Sequence, residues 1–221
     1  MTHPAAPKPA DKIAAVKGLE KAPSRVYRGV SQEERRELRR RSLIVAAIKV
    51  YGELGFRQAS VKAICTEAGL TERYFYESFS NGEDLLLAAY HAVIDGLLDE
   101  LTQTSVQVQA GRTGRARAML HAYFSLLRRE PAAARLILIE IRGVSVAATD
   151  AYTVALRGIA HKLADAFSIT NEETQQLLAL GVVGGISQIA LHWIQQGYKP
   201  SIEAMVEVSL QLASGLLGAE F

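Results

Sequence analysis

Apolar side chains recur every three or four positions along most of the chain after residue 30, which is the spacing of one face of an α-helix. Ser31, with Glu34 three residues later, forms a capping box that marks the start of a first helix, and Gly55 marks its end. The apolar positions of that helix are Leu38, Val45, Ile48 and Tyr51. No stretch alternates with period two, so the predicted fold class is all-α.

Two short helices joined by a glycine turn are predicted next. Ser60 opens the first helix, Gly69 ends it in the position of a C-cap, and Thr71 opens the second. Their inward-facing positions are Val61, Ile64, Phe75 and Phe79. The pair has the form of a helix-turn-helix, whose second helix reads DNA. An αα-hairpin with ordinary packing fits the same spacing equally well.

The rest of the pattern predicts a larger helical domain. A capping box from Ser80 to Glu83 opens a fourth helix, which runs through Leu101. Further helices are predicted near residues 113–129, 131–143, 148–167, 171–196 and 201–217. The predicted organisation is a basic, disordered arm at 1–30, a helix-turn-helix domain at 31–82, and a helical ligand-sensing and dimerisation domain at 83–221.

Charge is distributed unevenly, although the whole chain carries only +2. Residues 1–82 hold 15 of the 25 basic residues and 9 of the 23 acidic ones, so the remainder is net acidic. A basic segment on an acidic body suits a phosphate-binding module. A solvated basic tail explains the charge alone just as well.

Several classes of protein are not expected. No apolar run in the sequence is long enough for a membrane span and no signal peptide is evident, so a cytoplasmic location is predicted. Cys65 is the only cysteine, which leaves no intrachain disulfide or multi-thiolate zinc site, and a packed thiol is favoured over a redox switch. Paired catalytic carboxylates, metal-ligand clusters and phosphate loops are not evident, so neither an enzyme nor a cofactor is predicted.

The segment from Tyr51 to Leu85 resembles the DNA-binding signature of the TetR family of repressors. The matching positions are Gly55-Phe56, Ser60-Val61, Ile64, Ala68-Gly69-Leu70-Thr71, Phe75-Tyr76, Phe79 and Glu83-Asp84-Leu85. The resemblance implies a transcriptional repressor that binds a palindromic duplex operator, and a C-terminal domain of about six helices.

The resemblance also implies roles for individual residues. Ser60, Thr71 and Tyr76 are expected to contact phosphates, while Glu72, Arg73 and Tyr74 face base edges. Glu72 has a second interpretation, as an acid that only caps the helix dipole. Many relatives carry a phosphate-binding lysine at the position of Gly82, which this chain lacks. Asn81 or the backbone N–H groups at the start of the fourth helix are expected to bind the phosphate instead. Additional positive charge is expected from Arg39, Arg40 and Arg41.

A homodimer is predicted from the last two helices. Three glycines within five residues are unfavourable in a helix unless another backbone approaches closely, and TetR relatives pair these helices with their symmetry mates. The predicted interface consists of Gly181, Gly184, Gly185, Met205, Val208 and Leu212. Ordinary packing inside one subunit is the alternative for the same residues.

A small, mostly apolar effector is predicted to bind among polar and aromatic side chains in otherwise apolar helices. The ligand-binding candidates are Tyr90, His121, Tyr123, Tyr152, Gln188, His192 and Trp193; His91, Glu140, Arg142 and His161 lie in similar surroundings. The main alternative is a constitutive DNA-binding protein without a pocket. A membrane-surface protein is disfavoured because the arginines of the first helix stand beside few bulky apolar residues.

Overall fold

The computed structural model describes residues 31–108, 110–166 and 173–217. All regular structure in these ranges is helical, as the periodicity predicts, and no strand occurs in them. The predicted basic arm at 1–30 lies outside the described residues.

Three helices form the N-terminal part: α1 (Gln32–Leu54), α2 (Val61–Ala68) and α3 (Glu72–Tyr76). The predicted capping box is present at Ser31, whose hydroxyl accepts a hydrogen bond from Glu34 N–H, while the Glu34 carboxylate accepts one from Ser31 N–H. The bond from Ser31 N–H holds the pKa of Glu34 below its ordinary value. Leu38 is exposed, so the buried face of α1 begins at Leu43 rather than at Leu38.

The remaining helices are α4 (Gly82–Gln107), α5 (Arg112–Arg129), α6 (Pro131–Arg135), α7 (Val146–Ala166), α8 (Glu173–Gln195) and α9 (Ile202–Leu217). A π-helical turn, Leu136–Glu140, continues α6, so the predicted helix at 131–143 is shorter and changes its pitch. Asn81, not Ser80, caps α4: its side-chain oxygen accepts from Asp84 N–H, and the Asp84 carboxylate accepts from Ser80 N–H. The predicted cap was therefore wrong by one residue.

One hydrophobic core extends from the three N-terminal helices into the C-terminal helices. Tyr51 and Phe75 are buried in it alongside Phe124 and Trp193. Helices α1 and α6 approach especially closely at Gly52, where an added Cβ would lie 2.3 Å from the Ala132 Cα atom. Any side chain at this position would push the helices apart, so the N-terminal part rests firmly on the C-terminal domain.

Candidate DNA-binding surface and ligand cavity

The turn between α2 and α3 has helix-turn-helix geometry. Gly69 adopts a left-handed conformation (φ 68°) and its N–H bonds to carbonyls at the end of α2, which turns the chain sharply into α3. Ile64, Phe75 and Phe79 are buried against α1, so the opposite face of α3 is left on the surface. The buried contacts with α1 thus hold α3 in place, and its outer face is exposed to solvent.

Several polar groups lie on that exposed surface. The Tyr76 side chain is exposed, and so are Glu72 and Arg73. Thr71 caps α3 without a side-chain hydrogen bond, which leaves its hydroxyl available. The Ser60 hydroxyl accepts from Ala63 N–H, so its own proton remains available for donation to a phosphate.

Two arginines of α1 reinforce this surface. The Arg39 guanidinium lies 4.4 Å from the centre of the Tyr74 ring, and that of Arg40 lies 4.7 Å from the Phe79 ring. Arg73 forms an exposed ion pair with Glu77, at 3.1 Å. Exposed pairs of this kind contribute little to stability, so Arg73 can leave Glu77 for another acceptor at small cost.

The C-terminal domain encloses a cavity of about 390 Å³. Helices α4, α5, α7, α8 and α9 and the π-helical turn all contribute to its wall. Of the 27 described residues that line it, 20 are aliphatic, and Lys162 is the only charged one among them. A cavity of this composition suits a ligand that is mostly hydrocarbon.

The cavity runs along α4. Eight residues of that helix line it at intervals of one turn: Tyr90, Ile94, Leu97, Leu98, Leu101, Thr102, Ser105 and Val106. At a rise of about 1.5 Å per residue, the stripe is about 24 Å long. Helix α7 runs beside α4 in the same direction, because Ser145 donates to Glu83 at its start and Tyr152 meets Tyr90 further along.

A direct link joins the wall of the cavity to the DNA-binding part. Ile137 and Leu138 of the π-helical turn line the cavity. Glu140, in the same turn, accepts a hydrogen bond from the backbone N–H of Phe56, at 2.8 Å, and another from Arg135. Phe56 belongs to the loop between α1 and α2, so the π-helical turn is joined directly to the base of the helix-turn-helix.

Comparison with known proteins identifies the DNA-binding part. Residues 43–89 match the model of the family described as "Bacterial regulatory proteins, tetR family". The chain therefore carries a TetR-type DNA-binding segment and resembles TetR-family transcriptional regulators. Its helical architecture is that of the family, and its relatives are DNA-binding regulators rather than enzymes, as the sequence predicts.

Proteins similar to this chain include a transcriptional activator and two regulators of known structure. The transcriptional activator FasR of Mycolicibacterium smegmatis is 25% identical over 187 residues, which is 81% of this chain and 83% of FasR. The fatty acid degradation regulator FadR of Bacillus halodurans has the same fold (TM-score 0.69, 20% identity, 82% of this chain and 96% of that chain). FadR of Bacillus subtilis, solved with stearoyl-CoA, also has it (TM-score 0.64, 20% identity, 78% and 96%).

The predicted DNA-contact residues of this regulator come together on one surface. Five of them lie on α3 or at its cap: Thr71, Glu72, Arg73, Tyr74 and Tyr76. The other two cap the neighbouring helices, Ser60 at α2 and Asn81 at α4. Tyr74 differs from the others, because it is partly buried under Arg39. Their contacts with DNA remain predictions.

The predicted ligand residues divide into two groups. Tyr90, Tyr123 and Tyr152 line the cavity. His121, Gln188, His192 and Trp193 are not among its lining residues. Trp193 is a buried core residue that donates to the Pro200 carbonyl, and the other three side chains are exposed on the outer faces of α5 and α8. Periodicity does not reveal which helical face points inward, so the sequence grouped these residues together.

The predicted dimer residues also divide. Gly185 faces α9 of its own subunit, where an added Cβ would lie 2.7 Å from Leu212 Cδ2, and Met205 is buried. The close approach that the glycines predict is, at Gly185, a contact with the Leu212 side chain of the same subunit. Among the described residues, no atom outside the neighbouring backbone of α8 lies within 4 Å of a Cβ built at Gly181 or Gly184, and Val208 is 47% exposed.

Sequence reasoning missed several cavity residues. Thr102, Ser105, Lys162 and Ser187 line the cavity, but each is a common residue on an amphipathic helix and carries no distinguishing signal in the sequence. The sequence did single out Glu140 and Arg142 as polar residues among apolar ones, although without their structural roles. Cys65 is buried and burial raises the pKa of its thiol, which fits the packed thiol that the sequence favours.

Proposed function

We propose that this regulator is a sequence-specific, cytoplasmic repressor that leaves a palindromic operator when a largely apolar effector occupies its cavity. The single observation that carries this proposal is the aliphatic cavity that runs along α4, the helix that follows α3 in the chain. The presence of such a cavity favours this function over that of a constitutive DNA-binding protein.

The effector class that the cavity supports best is a long acyl chain. Its stripe of about 24 Å on α4 is comparable with the length of an extended stearoyl chain, and its wall is aliphatic for most of that length. FadR of Bacillus subtilis, which shares this fold, was crystallised as a complex with stearoyl-CoA, and that complex supports the same class of ligand for this chain.

The proposed switch depends on two connections between the cavity and the DNA-binding part. Helix α4 begins at Asn81 beside α3 and lines the cavity from Tyr90 onward. The π-helical turn lines the cavity at Ile137 and Leu138 and holds the α1–α2 loop through Glu140. An effector that prefers one position of these elements changes the separation of the two reading helices in a dimer, and a rigid operator tolerates little mismatch.

The dimer in this proposal uses the outer face of α8 together with α9. One stripe of α8, formed by Leu177, Gly181, Gly184 and Gln188, is exposed or half-buried, and Val208 and Leu216 of α9 are exposed apolar residues. The sequence predicted no segment long enough for a membrane span, but α8 is long and apolar enough for one. Only 33% of the most apolar window of α8 is buried in the subunit, so much of this apolar helix lies on the surface. A second copy of this chain would cover that face, as a DNA-binding regulator with two half-sites requires.

The opposite sign of regulation is the second candidate. The relative from Mycolicibacterium smegmatis is named a transcriptional activator, so an effector that strengthens operator binding by this chain is the alternative to one that releases it.

One experiment in two stages distinguishes an effector that weakens operator binding from one that strengthens it. Selection of bound sequences from random duplex DNA with the purified chain is expected to yield a palindromic operator. Affinity for that operator is then measured with and without stearic acid and stearoyl-CoA. Weaker binding with either ligand supports the repressor, stronger binding supports the activator, and an affinity that neither ligand changes contradicts acyl-chain sensing.

A further inference from the structure

Three tyrosines lie near one another at the end of the cavity nearest the DNA-binding part. Tyr90, Tyr123 and Tyr152 come from α4, α5 and α7, and all three line the cavity. Burial raises the pKa of Tyr90 and of Tyr123, and in both the proximity of Tyr152 raises it further. The phenols of Tyr90 and Tyr123 are therefore neutral at physiological pH, and both lie close to Tyr152.

The hydroxyl groups at this end have unused hydrogen-bonding capacity. Arg142 donates to the Tyr152 hydroxyl oxygen at 2.6 Å, and its guanidinium lies 4.8 Å from the centre of the Tyr152 ring. Because that oxygen accepts from Arg142, the Tyr152 proton is free to be donated elsewhere. Tyr90 is only 1% exposed, and no hydrogen bond to its hydroxyl occurs within the described part of the chain.

A phenol hydroxyl in the wall of a mostly aliphatic cavity finds few protein partners there, so the group that completes this end of the cavity is expected to come from the ligand. One acceptor group can receive the hydroxyl protons of both Tyr90 and Tyr152, and the Tyr152 oxygen is already occupied by Arg142. Arg142 places a positive charge behind Tyr152, and a hydrogen bond from a cation strengthens the phenol as a donor. The positive charge of Arg142 and the stronger donor that it makes of Tyr152 both favour an anionic acceptor over a neutral one.

We propose that the tyrosine end of the cavity binds a carboxylate, and that the effector is a free long-chain carboxylic acid whose chain extends along α4 toward Ser105 and Val106. This proposal rests on the acyl-chain class of the proposed function and adds the orientation of the ligand and the state of its head group. Lys162, Thr102 and Ser105 line the far end, and Lys162 is exposed there. The reverse orientation would put an anionic head group, such as that of an acyl thioester, near Lys162.

The experiment compares a fluorescent polyene fatty acid, cis-parinaric acid, with its methyl ester on the full chain. The wild-type protein is expected to bind the acid about tenfold more tightly than the ester, as one charge-assisted hydrogen bond allows. In Tyr90→Phe/Tyr152→Phe, which keeps both rings, the acid is expected to lose that advantage while the affinity for the ester is unchanged. Tyr198→Phe is the control, since its hydroxyl contacts the Leu127 carbonyl and its ring is not part of the cavity wall.

The outcomes separate this proposal from the proposed function. Equal affinities for acid and ester in the wild-type protein, or an acid preference that survives in the double variant, overturn the carboxylate site. An acid preference abolished by Lys162→Gln but not by the tyrosine changes places the head group at the far end and also overturns it. Failure of both probes to bind the wild-type protein contradicts acyl-chain binding itself. Unchanged operator affinity of each variant without ligand verifies that the variants fold.

Discussion

The carboxylate of Glu140 accepts a hydrogen bond from the backbone N–H of Phe56 across 84 positions of sequence, at 2.8 Å. Its other oxygen accepts from Arg135, and Gly55 packs against the same carboxylate. Glu140 therefore ties the π-helical turn that lines the cavity to the loop that supports the helix-turn-helix. A single side chain thus joins the wall of the cavity to the loop that precedes the helix-turn-helix.

Glu140→Gln tests that connection. The neutral amide keeps one acceptor for Phe56 N–H but turns an amino group toward Arg135, so the free energy of unfolding is expected to fall by about 1–2 kcal/mol. The ratio of operator affinities with and without effector is expected to move toward one. Glu100→Gln, which breaks the exposed pair with Arg129, is the control and should change neither quantity by much. If the affinity ratio of Glu140→Gln equals that of the wild type, the link has no part in switching.

Arg73→Ala and Tyr76→Phe should weaken DNA binding in different ways. Arg73 is proposed to reach a base edge, so its removal is expected to cost about 1–3 kcal/mol and to relax preference at one base pair. Loss of the Tyr76 hydroxyl is expected to weaken all sequences similarly, because a phosphate contact carries no sequence information. Binding to operator and to scrambled duplexes at several salt concentrations measures both effects. Arg117→Ala, on α5, is the control, and equal losses on every duplex for both variants would refute the assignment.

Gly181→Leu and Gly185→Leu separate the dimer contact from packing within the subunit. At Gly185 a larger side chain collides with Leu212, so the midpoint of thermal unfolding is expected to fall. At Gly181 no other helix of the described part of the subunit comes within 4 Å of an added Cβ, so a leucine there is expected to weaken the dimer while the secondary structure is retained. Sedimentation velocity measures the assembly. An unaltered dimer for Gly181→Leu and for Gly184→Leu would place the interface elsewhere.

Ala155→Phe is expected to make the regulator insensitive to its effector. Ala155 lines the cavity from α7, and a phenyl ring there occupies space that an acyl chain would need. Operator affinity without ligand should match that of the wild type, while stearic acid and stearoyl-CoA should no longer change it. The control is Ala147→Phe on the exposed face of α7. A wild-type response in Ala155→Phe would show that the effector binds outside the cavity.

The sequence by itself determined the helical class, the cap of α1, the glycine turn after α2 and the TetR-type surface of α3. These features depend on contacts between residues that are near one another in the chain, such as Ser31 with Glu34 and Gly69 with the end of α2, so a local pattern is enough to specify them. Only the tertiary structure decided which faces of the C-terminal helices enclose the cavity. In the tertiary structure Tyr90 lines the cavity whereas Gln188 does not, and Gly185 packs against Leu212. The direction in which a helical face points depends on how helices distant in sequence pack together, and a local pattern does not contain that information.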